Sequence, residues 1–102
     1  MLESAGCSRR LMVDFSHANS GKQHRGQITV GTDVSSQLAQ GENRIVGVMI
    51  ESHIVEGRQD VVAGCDLVYG QSITDACLGW DDTVQVIKQL AAAVDTRRSL
   101  SR

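Results

Sequence analysis

Arg44-Ile45-Val46-Gly47-Val48-Met49-Ile50-Glu51 is the stretch that decides the fold. Its apolar residues are nearly continuous rather than alternating, the pattern of a strand covered on both faces in a parallel sheet. The run stops on a carboxylate. Two shorter runs on either side behave alike: residues 11–15 lead to His17, and residues 72–74 lead to Asp75. No local motif joins His17, Glu51 and Asp75, so only a fold that gathers strand tips could make them one site.

The segments between these runs read as their connections. Within residues 21–40 apolar residues recur at Ile28, Val30, Val34 and Leu38, the last two steps at the i, i+4 spacing that predicts a helix. Gly26 and Gly31 fall inside it, each expected to cost about 1 kcal/mol relative to Ala, and Gly41 suits a C-terminal stop. The polar interval 56–70 has no clear period and is predicted to be a long loop, a place where strand ends often carry function. Residues 72–77 read as a third, shorter strand. Gly79-Trp80-Asp81-Asp82 then starts a helix in which Val84, Ile87, Leu90 or Ala91, and Val94 repeat at helical spacing. Acids in its first turn and Arg97 and Arg98 in its last suit the macrodipole at both ends. Residues 1–10 are polar and irregular and run into the first strand without a cap, as a truncated lead-in would. Strand, helix, strand, long loop, strand, helix is a β/α order, and parallel strands joined by crossovers share one C-terminal side. His17, Glu51 and Asp75 are therefore expected to converge.

Composition bounds what such a chain can be. Its 102 residues suffice for one small domain, but a complete eight-stranded α/β barrel takes roughly 250. A hydrophobic share of 41% against 22% charged excludes an obligately disordered chain. Phe15, Tyr69 and Trp80 are the only aromatics, so the core is expected to rest on Val, Ile, Leu and Ala. A net charge of -2 without a basic stripe leaves no footprint for nucleic acid, and the Arg9-Arg10 and Arg97-Arg98 pairs read as solvated surface. Cys7, Cys65 and Cys77 are odd in number and form no CxxC pair, which speaks against a disulfide scaffold or zinc ribbon and fits a reducing cytoplasm. No apolar stretch reaches the roughly 20 residues of a membrane span, and no signal-peptide core is evident.

One imidazole and two carboxylates form a mixed N/O set suited to Mn²⁺, Fe²⁺, Co²⁺ or Zn²⁺, although such residues are scattered through most enzyme-sized sequences. Asp14 reads either as an interior or loop-bonded carboxylate or as a direct member of the site. His53 and Glu56 either orient the metal ligands or shape the loop. Ser16 and Asn19 read as hydrogen bonders that fix the loop around His17, Cys77 as a core thiol, and Cys7 and Cys65 as surface or loop residues. No GxxxxGK[ST] phosphate cradle is present. Lys22 and Arg58 are basic residues near strand tips, and neither is assigned to a phosphate.

Three longer words carry a resemblance: Val13-Asp14-Phe15-Ser16-His17-Ala18-Asn19-Ser20, Gly47-Val48-Met49-Ile50-Glu51-Ser52-His53-Ile54-Val55-Glu56-Gly57 and Tyr69-Gly70-Gln71-Ser72-Ile73-Thr74-Asp75-Ala76-Cys77-Leu78-Gly79-Trp80. In order and spacing they resemble the C-terminal part of the class I 3-deoxy-D-arabino-heptulosonate 7-phosphate (DAHP) synthases, over about residues 11–94. The resemblance implies an α/β fold that is the C-terminal portion, about three β/α units, of a TIM (β/α)8 barrel. Residues 1–102 would be one partial-barrel domain, with a lead-in over 1–10, β/α units over 11–98 and a tail over 99–102. It implies that His17, Glu51 and Asp75 bind a divalent metal, with His17 catalytic beside phosphoenolpyruvate. The family's fourth ligand, a cysteine, and its main phosphate-binding Arg and Lys residues belong to earlier strands than those found here.

The implied reaction condenses phosphoenolpyruvate with erythrose 4-phosphate to DAHP and phosphate, the first step toward chorismate and the aromatic amino acids. The full-length enzyme would be a homo-oligomer. The competing expectation is a non-catalytic fragment or degenerate gene product, translated from an internal Met. A related enzyme, KDO 8-phosphate synthase, runs the same chemistry on another sugar phosphate, and the first and third words favour DAHP synthase over it.

Overall fold

The two longer apolar runs pair with each other. In the computed structural model, which describes residues 10–21 and 23–100, β1 (Leu11–Asp14) lies parallel to β2 (Ile45–Met49), with Met12 opposite Gly47 and Asp14 opposite Met49. A parallel pair needs a crossover, and α1 (Gly26–Ala39) supplies it. Most of the expected lead-in, with Cys7 and Arg9, lies outside the described residues, as do Lys22 and the end of the expected tail.

A short 3-10 turn, His17–Ser20, precedes α1, so the helix begins later than its polar lead suggested. Gln27, Gly31, Val34, Ser35 and Leu38 form its buried face. Gly31 has a packing reason: a Cβ there would lie 3.2 Å from Val86 Cγ1 and 3.4 Å from the Phe15 ring. Its loss of helix propensity is offset by this close approach of α1 to its neighbours. The helix ends where expected. Gly41 takes φ 103 and donates to the Leu38 carbonyl at 3.0 Å, while the Glu42 N–H reaches the Gln37 carbonyl at 3.0 Å. These are the paired bonds of a glycine-terminated helix.

The second helix, α2 (Trp80–Leu100), has Asp81 and Asp82 in its first turn and Arg97 and Arg98 in its last. Its inward register differs from the sequence expectation. Thr83, Val86 and Ala93 are buried, with Leu90 and Val94 packed beside them, whereas Ile87 is 51% exposed. The face chosen is the one that meets α1 and the Phe15 ring. Arg97 Nη1 fixes the far end by donating to the carbonyls of Glu42 at 3.0 Å and Ile45 at 3.1 Å. The core joins Phe15, Val34, Leu38, Ile45, Leu78, Val86 and Ala93. The core thus rests on Val, Ile, Leu and Ala as expected, with Phe15 the one aromatic among them, while Tyr69 and Trp80 stay on the surface.

The third strand is the main correction. Residues 72–77 do not form a strand alongside β2. Only Gln71–Ser72 (here β4) is extended, and it pairs in parallel with β3 (Val55–Arg58), which overlaps the start of the interval expected to be loop. Two two-stranded sheets result among the described residues. The cause is local: Ser72 Oγ accepts the Thr74 N–H at 3.1 Å, a side-chain turn that takes the backbone out of the ladder.

The chain rejoins the end of β2 three residues after Asp75. Leu78 donates to the Glu51 carbonyl at 3.0 Å and accepts from the His53 N–H at 2.9 Å, and Cys77 and Gly57 exchange bonds of 3.1 and 2.8 Å. Among the described residues no helix is long and apolar enough to cross a membrane.

Candidate metal centre

The first component is wound around Asp14, the last residue of β1. Its Oδ1 accepts hydrogen bonds from both the Ser16 N–H and the Ser16 hydroxyl. Asn19 Nδ2 donates to the Asp14 carbonyl at 2.6 Å, and Ser20 Oγ to the His17 carbonyl at 3.0 Å. His17 adopts φ 52 within this turn, a conformation uncommon for a residue other than glycine. Ser16 and Asn19 thus fix the loop. Asp14 is the loop-bonded carboxylate, and its Oδ2 also meets His17 Nδ1 at 2.9 Å.

Glu51 stands two residues beyond the end of β2, and Asp75 is delivered by the return of the chain at residues 77–78 rather than by a strand tip. Together they face the other side of the imidazole. His17 Nε2 lies 3.0 Å from Glu51 Oε1 and 3.2 Å from Asp75 Oδ2. One ligand atom from each of His17, Glu51 and Asp75 lies within 4.8 Å of the other two. Glu51 is the most enclosed of the three, at 18% side-chain exposure against 52% for His17 and 66% for Asp75. A cleft of about 290 Å³ opens over them, with Gln27 and Arg58 also in its wall.

The hydrogen bonds set the charges. The Ser16 hydroxyl, and after it His17, hold the Asp14 carboxyl down to about 2. The Asp14 bond is the largest cause raising the His17 pKa above its ordinary value. With Nδ1–H given to Asp14, Nε2 turns its lone pair toward two carboxylates. Three acceptor atoms so close repel one another unless positive charge lies among them, either a proton on Nε2 or a cation. The donor set, one nitrogen and two anionic oxygens, fits a borderline divalent ion. A carboxylate on the far nitrogen is the usual support of a metal-binding imidazole.

Other candidates go elsewhere. His53 Nδ1 accepts the Ile54 N–H at 2.8 Å. The Glu56 carboxylate meets Arg25 at 3.2 Å and His24 at 3.5 Å, and Arg25 also reaches Asp82 at 3.2 Å. Arg25, the residue before α1, therefore links Glu56 of β3 to Asp82 of α2. Cys77 is buried, with its thiol pushed up by that burial, and Cys65 is exposed. Arg58 donates to the Thr74 carbonyl at 2.8 Å and to Asp60 at 2.7 Å.

Sequence reading missed Gln27. It is 1% exposed, and its amide Nε2 donates to the Glu51 carbonyl at 2.9 Å while its Oε1 accepts the Glu51 N–H at 2.8 Å. The available signal was an amide on the stripe of α1 that continues through Gly31, Val34 and Leu38.

The sequence model of the DAHP synthetase I family matches residues 1–88. The Phe-sensitive phospho-2-dehydro-3-deoxyheptonate aldolase of Escherichia coli is 55% identical over 97 residues, a match that takes in 95% of this chain and 28% of that protein. The phospho-2-dehydro-3-deoxyheptonate aldolase of Haemophilus influenzae is also 55% identical over 97 residues, covering 95% of this chain and 27% of its own. Among solved structures, the phospho-2-dehydro-3-deoxyheptonate aldolase from Francisella tularensis superposes with a TM-score of 0.87 at 44% identity, over 94% of this chain and 28% of that one. The chain thus spans little more than a quarter of the length of these relatives.

Proposed function

We propose, because the chain belongs to the DAHP synthetase I family, that it carries the metal-holding rim of a synthase joining phosphoenolpyruvate to erythrose 4-phosphate. The observation that carries this reading is the meeting of His17, Glu51 and Asp75 within 4.8 Å. In it, His17 Nε2 and one oxygen each from Glu51 and Asp75 would hold the ion, which would be Mn²⁺, Fe²⁺, Co²⁺ or Zn²⁺ on the chemistry of the donors. A divalent ion held there would polarise the aldehyde carbonyl of the sugar phosphate while the enol carbon of phosphoenolpyruvate attacks it.

The chain's own residues do the positioning. Asp14 keeps the imidazole in the tautomer whose Nε2 is free, the Ser16 bonds keep Asp14 in place, and His17 borders the cleft where phosphoenolpyruvate would lie. Glu51 and Asp75 supply the negative charge that retains the ion.

Residues 11–98 are, in this reading, β/α units from the C-terminal portion of a TIM barrel, with a lead-in before them and a short tail after. Support comes from the parallel β1–α1–β2 crossover and from the likeness to the Francisella protein. The complete protein would be a cytoplasmic homo-oligomer, an inference that rests on family membership alone.

The chain by itself is the rim without the rest of the site. Two phosphorylated substrates need cationic partners, and Arg58 is the one Arg or Lys lining the cleft among the described residues. It is already engaged by Asp60 and Thr74.

The test is a DAHP-formation assay on the purified, metal-loaded chain, alone and mixed with a separately produced polypeptide carrying the remaining strands of a relative's barrel. We expect no turnover alone and turnover on mixing. Turnover by the chain alone would overturn the division of labour, and none in either sample would favour the inactive-fragment reading.

A further inference from the structure

We infer that Gln27 is a positioning residue for the metal centre, acting through the backbone of Glu51. The inference rests on the reading of His17, Glu51 and Asp75 as metal ligands. It concerns a residue of α1 that touches none of the ligand atoms described above.

Glu51 lies beyond the last residue of β2, where the pairing with β1 no longer holds its backbone. Its N–H and C=O are instead taken up together by the two ends of one side-chain amide, at 2.8 and 2.9 Å. A primary amide offers a donor and an acceptor at nearly the spacing of a peptide group. Gln27 thus serves Glu51 as a one-residue substitute for a neighbouring strand. The Glu51 carbonyl also accepts from the Leu78 N–H at 3.0 Å on the segment that carries Asp75. One carbonyl therefore links Gln27, Glu51 and the Asp75 segment.

Gln27 is almost wholly buried, so losing its bonds leaves the Glu51 N–H without the partner described here and with little water to replace it. The peptide plane before Glu51 would then be free to turn, while the Glu51 carbonyl would keep only its bond from Leu78. The carboxylate, which sits 3.0 Å from His17 Nε2, would turn with that plane. Groups that orient ligands in this way typically change metal affinity by about 10- to 100-fold when removed.

The test measures Co²⁺ affinity and the visible Co²⁺ absorption spectrum of the chain and three variants. Gln27→Met keeps the volume and removes both bonds. Leu38→Ala weakens the same helix three turns away, and His17→Ala removes a ligand. The apo melting temperature of each is recorded alongside.

We expect Gln27→Met to bind about 10-fold or more weakly with a shifted spectrum, while Leu38→Ala melts lower yet keeps both affinity and spectrum. Should Gln27→Met fail to fold, Gln27→Asn, one methylene too short to reach both backbone atoms, carries the same expectation. The inference is overturned if the Gln27 variant keeps wild-type affinity and spectrum while His17→Ala loses the ion. It is equally overturned if Leu38→Ala loses affinity in step with stability, because Gln27 would then be structural only. If wild type and His17→Ala bind Co²⁺ alike, the metal reading itself fails, a result distinct from the other two.

Discussion

Asp14 commits one carboxylate oxygen to Ser16 and the other to His17, so a single side chain fixes both the loop after β1 and the direction of the imidazole. Replacing it with Asn keeps the shape but removes the charge that favours Nδ1–H toward it. Asp14→Asn should weaken divalent-metal binding by about 10-fold or more, measured by competition with a chromophoric chelator. Unchanged affinity would show that the turn alone orients the ring. At this scale the sequence made three residues legible, because His17, Glu51 and Asp75 each follow an apolar run, and they do meet. It left Asp14 open between two roles that turn out to be compatible, since an acid at a strand's end can serve loop and imidazole together. Gln27 was hidden because a lone amide on a buried stripe looks like a core defect until its partner, the Glu51 backbone, is known.

The helices and the β1–β2 pair were legible as elements because each carries an uninterrupted signal: a run of branched residues in β2, helical spacing in α1, and Gly41 as a stop. The other pair was not. Val55-Glu56-Gly57-Arg58 mixes charges with a glycine at φ 88, so no alternation marks it as a strand. The run expected as a third strand was lost to the Ser72–Thr74 turn. The register of α2 was misread because both Val86 and Ile87 are apolar, and only the position of α1 selects Val86. Gly31 is where that selection is made, and it gives a prediction at this scale. Gly31→Val should destabilise the chain by about 1–3 kcal/mol through overpacking against Val86 and Phe15. Gly31→Ala, whose gain in helix propensity opposes a 3.2 Å contact, should stay within about 1 kcal/mol of wild type. Urea titrations followed by far-UV circular dichroism separate the two; equal stability of Gly31→Val and wild type would mean that the helices do not approach as closely as described.

As a whole the molecule is a slab of 58 × 31 × 16 Å with a radius of gyration of 16.5 Å, against about 13 Å for a compact domain of this size. Among the described residues its sheets are two-stranded, so strand edges are open there, and Met12, Val46, Ile54 and Ile87 are all more than half exposed. Open edges and exposed apolar side chains favour association. Sedimentation velocity should accordingly show species larger than a monomer that grow with concentration, and a single compact monomer across the range would contradict this. On this slab three side chains distant in sequence meet closely enough to hold one cation. The direct measurement is a Mn²⁺ titration followed by the electron paramagnetic resonance signal of the free ion. One ion should bind per chain, with binding lost in both His17→Ala and Glu51→Gln. No binding by the wild-type chain, or binding that survives both substitutions, would contradict it.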